Sequence, residues 1–249
     1  ALDAFFCHTY SKMLVTGEFP SDSASRNQPD SLSRARKFFS KQHLFMTETV
    51  SEKKYQKPGK ENEKVLGSRV SGFAGAPFFT PVTQLQSFSF YTPYITILDK
   101  SYVNPLAPGT FNRYFFHLED TLHTEGGDSI YIISFRPKTG RNFEAMKGFL
   151  YVHTHGYALS RVIAEPVDVT GVISPRIEQE YIFQSGRWFP KELHTDWYYN
   201  NMKLTDSTAE ASMKNFSEKS LNKVKVVCRT WVSDVVFDSL PDRRFSSDK

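Results

Sequence analysis

The stretch YFFHLEDTLHTEGGDSIYIISFRP, residues 114–137, decides the fold class. On an extended chain Tyr114, Phe116 and Leu118 point one way, and Phe115, His117 and Glu119 point the other. Side chains of a strand alternate between faces, so this is the period of a strand with one apolar side. Gly126-Gly127-Asp128 interrupts it with turn residues. Beyond the turn, Ile130 and Ile132 share one face and Tyr131, Ile133 and Phe135 the other. Both faces are apolar, which predicts a strand covered on both sides.

Outward from this hairpin the same grammar recurs. Strand-like runs cover 44–55, 64–70, 94–103, 112–122, 129–136, 147–154, 157–165, 176–184, 188–199 and 223–237. In 188–199, Leu193, Thr195, Trp197 and Tyr199 share a face opposite His194, Asp196 and Tyr198. In residues 5–15, Phe5, Cys7, Thr9, Ser11, Met13 and Val15 align if the segment is extended; Tyr10 and Leu14 align if it is helical. Its β-branched and aromatic content favours the strand. His155-Gly156 and Ser185-Gly186 are tight-turn signals. Such turns leave no room for parallel crossovers, so most strands are expected to be antiparallel and adjacent in sequence. The predicted fold is mostly β: a curved antiparallel sheet with a short helix or flap.

The flap is expected from residues 73–91. Phe73, Phe78, Phe79, Leu85, Phe88 and Phe90 crowd a stretch that Pro77 and Pro81 keep from pairing as a central strand. Pro81 suits the first turn of a helix. The segment is therefore expected to lie across the sheet, held by side-chain packing. Residues 20–33 read as a flexible loop, 200–220 as a flexible insertion, and 32–41 as a short helix. No linker composition divides the chain after residue 43, so residues 1–249 read as a single domain.

Net charge is +4, with 31 Lys and Arg interspersed among 27 Asp and Glu. Nucleic-acid binding proteins cluster their cations, and the nearest cluster here is Arg34, Arg36, Lys37 and Lys41, which reads as a solvated linker face. No nucleic-acid partner is expected. No apolar run approaches the ~20 residues of a membrane helix. The chain reads as a processed or excised piece, so the absence of a signal peptide does not argue for the cytoplasm. Cys7 and Cys228 either pair or stay as buried free thiols.

Catalytic spacings fail. Gly67 to Gly72 places its serines at the wrong offsets for a nucleophile elbow, and Ser51-Glu52-Lys53-Lys54 has S-x-x-K spacing without companion motifs. Glu119, Asp120 and Asp128 read as solvated turn acids. His153 and His155 share a strand face, and with His117 or His123 they are the weak candidates for a metal site. No cofactor is expected, and the domain is read as non-catalytic.

A family resemblance rests on several strings together: HLFMTETVSEKKY (43–55), VLGSRVSGF (65–73), QLQSFSFY (84–91), YITILDKSYVNPL (94–106), YFFHLEDT (114–121), IYIISFRP (130–137) and NFEAMKGFLYVHTHGYAL (142–159). The match extends through IAEP (163–166), and weaker matches are RWFP (187–190), Thr195-Asp196 and TWVSDV (230–235). These resemble a domain of unknown function from Bacteroidetes envelope proteins. In that family a carboxypeptidase-regulatory-like domain usually precedes the segment and an outer-membrane barrel follows it. The resemblance implies periplasmic exposure, outer-membrane attachment and the barrel of the same polypeptide as a partner. It supplies no catalytic residues. The strand pattern is also similar to the open half-barrel meander of lipoprotein-carrier domains, an architectural likeness only.

Three functions follow as expectations. One is binding of an apolar small molecule, lipid, lipoprotein or peptide in a concave sheet lined by Phe88, Phe90, Tyr94, Tyr114, Phe116, Phe135 and Tyr151. The second is a scaffold or plug that docks on its own barrel or a partner protein. The third, and weakest, is a metal-dependent hydrolase using His153 and His155. An aromatic stripe is more often packing than pocket, so an empty or a filled interior separates the first from the second.

Overall fold

The computed structural model describes residues 3–18, 43–57, 60–72, 82–97, 100–140, 142–168, 173–200 and 223–238. The expected loop at 20–33, the helix at 32–41, residues 201–220 of the insertion, Pro77, Pro81 and the rings of Phe73, Phe78 and Phe79 lie outside them.

The strands in chain order are β1 (Ala4–Glu18), β2 (Phe45–Gln56), β3 (Lys60–Gly72), β4 (Tyr94–Ile97), β5 (Lys100–Val103), β6 (Tyr114–His123), β7 (Ser129–Pro137), β8 (Met146–His153), β9 (Ala158–Pro166), β10 (Ile173–Gln184), β11 (Arg187–Asn200) and β12 (Lys223–Phe237); a one-turn helix α1 (Val82–Leu85) precedes β4. A 10-stranded curved sheet has the order β3-β2-β1-β12-β11-β10-β9-β8-β7-β6, and β4 with β5 forms a separate hairpin. All ladders between these strands are antiparallel. The sheet does not close: β3 and β6 are its two edges. Sequence neighbours pair throughout, with one long-range exception, β1 on β12.

Alternation explains the inner face. Phe5, Cys7, Thr9, Met13 and Val15 of β1 are buried, as the extended reading of this segment requires. Register carries the face across the sheet: Met13 meets Cys228 and Val15 meets Val226 on β12, then Trp197 meets Val226 and Thr195 meets Cys228 on β11. Leu150 and Val162 pair on β8 and β9, and Ile133 meets Leu150 from β7. These residues make one core. Phe5, Cys7 and Phe189 make a smaller cluster, with Tyr55, Phe88 and Phe237 against it.

Cys228 faces Met13 in the β1–β12 ladder, whereas Cys7 lies at a bulge between Phe6 and His8. Six positions of strand, from Met13 to Cys7, span roughly 20 Å at ~3.3 Å per residue, well beyond bridging distance. Both cysteines are buried free thiols.

Four local expectations are corrected. The run 94–103 is not one strand but the β4–β5 hairpin; folding back lets Tyr102 join Ile95 and Ile97 in the core, which a single strand would point to opposite faces. β7 is not covered on both sides: Phe135 is buried inward, but Ile130 and Ile132 are only half-buried, and among the described residues no second layer lies on the outer face. A bulge between Leu118 and Asp120 takes Glu119 out of the β6 alternation. The turn at His155-Gly156 is wider than two residues, a helical turn over His155–Tyr157. At Ser185-Gly186 the expectation holds: φ values of 49° and 77° are those of a type I′ turn.

Candidate functional site

Residues 82–97 and 100–104 form a strap across the inner face. α1 covers Val82–Leu85, and Pro81, expected at its first turn, lies outside the described residues. Packing alone does not hold the strap, contrary to expectation. The Trp197 indole donates to the Leu85 carbonyl at 3.2 Å, and the Gln179 amide donates to the Ser87 carbonyl at 2.7 Å. The Gln86 side chain donates to the Thr195 hydroxyl at 3.3 Å and accepts from the Thr230 hydroxyl at 2.7 Å. The Phe90 amide donates to the Tyr181 hydroxyl at 2.8 Å. Further on, the Tyr114 hydroxyl donates to the Val103 carbonyl at 2.6 Å, and the Tyr91 hydroxyl accepts the Leu159 amide at 2.7 Å. An irregular segment inside a core must place its backbone polar groups somewhere, and here side chains of the sheet take that role.

The strap fills one half of the inner face and leaves the other partly open. Between it and β1–β3 lies a cleft of about 290 Å³. Its floor includes Thr9, Ser11, Leu193 and Thr230; Val82, Phe88, Tyr94 and Thr96 wall it on the strap side. Lys53, Glu61 and Glu63 form the third wall. The Lys53 ammonium stands 4.6 Å over the Phe88 ring and 3.6 Å from the Glu61 carboxylate. Two acids against one base make this wall net acidic. Phe88 also stacks on Phe5 at 5.8 Å.

The seven expected lining residues separate into three places. Phe88 and Tyr94 line the inner cleft, with Tyr94 58% exposed. Phe90, Tyr114 and Phe135 are 0%, 1% and 2% exposed and belong to the solid core. Phe116 is half-buried against Tyr114 and Phe111. Tyr151 pairs with Arg161 and Ile132 on the outer face, beneath the Arg161 guanidinium. Of the seven, Phe88 and Tyr94 are the two that face this cleft. Aromatic content did not point to the polar residues of this region: Gln86, Lys53, Glu61 and Glu63 in the cleft lining, and Gln179 and Asn104 in the bonds that hold the strap. Only the alternation of Lys53 with Ser51, and of Glu61 with Glu63, carried a signal of their inward aim.

His153 and His155 do not form a metal set. Their rings are 6.5 Å apart, and the His153 Nδ1 accepts the His155 amide at 3.0 Å. Trp188 and Phe183 pack against them at 5.1 Å and 4.6 Å. Among the described residues no group of three or more His, Cys, Asp or Glu is placed to hold a metal ion. Ser233 donates to the Asp234 carboxylate and His8 meets the same oxygen, each at 3.1 Å, and at the β6–β7 hairpin end the Ser129 hydroxyl meets the exposed His123 Nδ1 at 3.0 Å.

The pattern of the family of unknown function (DUF5686) matches residues 1–216. No curated protein matches the chain. Among solved structures, a DUF1329 family protein from Desulfovibrio piger ATCC 29098 is similar at 10% identity and a TM-score of 0.35, over 97% of this chain and 89% of that one. An outer membrane lipoprotein-sorting protein domain from Vibrio parahaemolyticus is similar at 10% identity and a TM-score of 0.32, over 95% and 87%. Lipovitellin is similar at 7% identity and a TM-score of 0.34, over 98% of this chain and 26% of that one. Scores this low transfer neither a fold nor an activity.

Proposed function

This chain belongs to the family of unknown function DUF5686, and we propose that it is a non-catalytic, periplasmic domain of an outer-membrane-attached protein that binds an apolar guest in the cleft between the strap and β1–β3. The observation that carries this reading is the half-filled inner face: the strap packs solidly over β6–β11 but leaves about 290 Å³ beside the exposed edge of Phe88. That volume is at the lower end for small-molecule sites, so it suits one acyl segment or a short apolar peptide side and not a whole lipid. The acidic wall of Glu61 and Glu63 favours a guest whose polar end is neutral or cationic. Periplasmic exposure and a barrel on the same polypeptide rest on the sequence resemblance to Bacteroidetes envelope domains.

The uncharged apolar dye N-phenyl-1-naphthylamine tests this. Its fluorescence should rise on binding the purified chain, and Phe88→Asp should remove the signal while circular dichroism stays unchanged. No signal, or a signal indifferent to Phe88→Asp, refutes the cleft. A second reading is a scaffold that docks on its own barrel or a partner, and one observation favours it: Phe90, Tyr114 and Phe135 are packed into the core. A dye-negative chain that still associates with the following barrel would establish the scaffold in place of the binding module.

A further inference from the structure

The outer face of the sheet carries a second cleft, of about 500 Å³, over β7–β10. Outer faces of a sheet normally show polar side chains to water, yet this one is floored by Ile132, Phe149, Tyr151 and Ile163. Register places them side by side: Ile132 faces Tyr151 and Phe149 faces Ile163. Phe149 is 41% exposed. Gly148 lets the two strands approach beneath it, since a Cβ there would sit 1.9 Å from the Ile163 carbonyl oxygen.

The rim is charged, and its charges do not cancel. Lys147 is neutralised by Glu165 at 3.2 Å. Arg136 stands over the Phe115 ring at 5.0 Å, and among the described residues no acid pairs with it. Arg176 is exposed and lies opposite Asp196 in the ladder, but that carboxylate is engaged by Arg229 at 2.6 Å and Lys225 at 2.9 Å. An apolar floor of small-molecule size under two available guanidinium groups has the chemistry of a site for an amphiphile with an anionic head. We propose that the outer cleft over β7–β10 binds a single-chain carboxylate amphiphile of the fatty-acid class, its chain on Phe149, Tyr151, Ile132 and Ile163 and its head between Arg136 and Arg176. This site differs from the inner cleft in position and in sign of charge, and it does not depend on that cleft being a site.

Calorimetric titration of the 249-residue chain with laurate, dodecanol and dodecyltrimethylammonium, below their micelle concentrations, tests it. Laurate should bind, and dodecyltrimethylammonium should bind at least about tenfold more weakly, the scale of one lost charge-assisted contact. Phe149→Asp should abolish laurate binding, and Arg176→Glu should weaken it about tenfold and remove the preference for the anion. Phe88→Asp should leave laurate binding unchanged. The proposal is overturned if laurate does not bind, if binding survives Phe149→Asp, or if it disappears with Phe88→Asp. Should Phe149→Asp fail to fold, Arg176→Glu decides alone: an unchanged preference for the anion overturns the site. Sedimentation that shows a dimer broken by Phe149→Asp would make the patch a contact between copies and overturn it as well.

Discussion

The Tyr181 hydroxyl accepts the Phe90 backbone amide at 2.8 Å and donates to the Gln179 side-chain Oε1 at 2.7 Å, so one phenol ties the strap to the middle of the sheet. Gln179 completes the link with its own bond to the Ser87 carbonyl. Tyr181, Phe90 and Gln179 are all buried, and burial pushes the Tyr181 phenol pKa upward, so the group stays neutral as donor and acceptor.

Tyr181→Phe keeps the ring and removes both bonds. It leaves a buried amide and a buried amide oxygen without partners, which costs about 1–3 kcal/mol. The unfolding free energy should fall by that amount, read as a lower urea midpoint at an unchanged slope. Hydrogen exchange should quicken at residues 86–92 before it does in β9–β11. A shift under about 0.5 kcal/mol, the range of ordinary surface substitutions, would show that the bond contributes little.

Sequence made the strands legible because alternation is local. Leu193, Thr195 and Trp197 face inward as their spacing requires, and Phe5 to Val15 do the same on β1. What was not legible is long-range. Nothing in either segment says that β1 joins β12, or that the Gln179 amide reaches Ser87 across the core. Tyr151 was assigned to the inner face because the β7–β8 register was unknown. Phe135 meets Gly148, not Phe149, and that parity sends Tyr151 outward. The strap was recognised by its phenylalanines, whereas polar residues fix it, because the hydrogen-bond needs of an irregular buried segment do not appear in apolar periodicity.

Asn104 provides the second latch. Its side-chain amide donates to the Phe90 carbonyl at 2.5 Å and the Thr92 carbonyl at 2.7 Å, while its oxygen accepts the Leu106 amide at 2.8 Å. Asn104→Asp turns a double donor into a carboxylate facing two carbonyls. It should destabilise more than Asn104→Ala, which only leaves the partners unmet at about 1–3 kcal/mol. Thermal melts at pH 7 should rank wild type above Asn104→Ala above Asn104→Asp. The gap between the two variants should narrow near pH 4, where the introduced acid is protonated and donates again. A gap that does not change with pH would rule out charge as its cause.

Asp196 on the outer face makes stability depend on acid. Burial alone would raise its pKa, but the hydrogen bonds and charges of Arg229 and Lys225 override this and hold the carboxyl below its ordinary 3.8. A depressed folded pKa contributes stability above the unfolded value, and that contribution is lost as pH falls through the folded one. Asp196→Asn should therefore cost about 1.5 kcal/mol at pH 7, the low end for bonds to charged groups because both cations stay partly solvated. Its deficit against wild type should shrink below pH 3.8. Parallel stability curves across the acid range would contradict the linkage.

The two thiols set the alkaline limit. Burial pushes Cys7 and Cys228 up to about 12 from an unfolded value of 9.0. Above pH 9 the unfolded chain loses these protons while the folded chain keeps them, so the folded state binds more protons and stability must fall as pH rises. The loss begins near pH 9 and levels off only near 12. Cys7→Ala and Cys228→Ala together should flatten the decline in melting temperature between pH 9 and 11, relative to wild type, even if both variants melt lower at pH 7 from lost packing. The same burial keeps the nucleophilic thiolate scarce, so native chain at pH 8 should react with Ellman's reagent far more slowly than urea-unfolded chain, and at a rate set by opening. Rapid native labelling of either cysteine would mean that the seam between β1, β12 and the strap opens freely, and the alkaline argument would then fail with it.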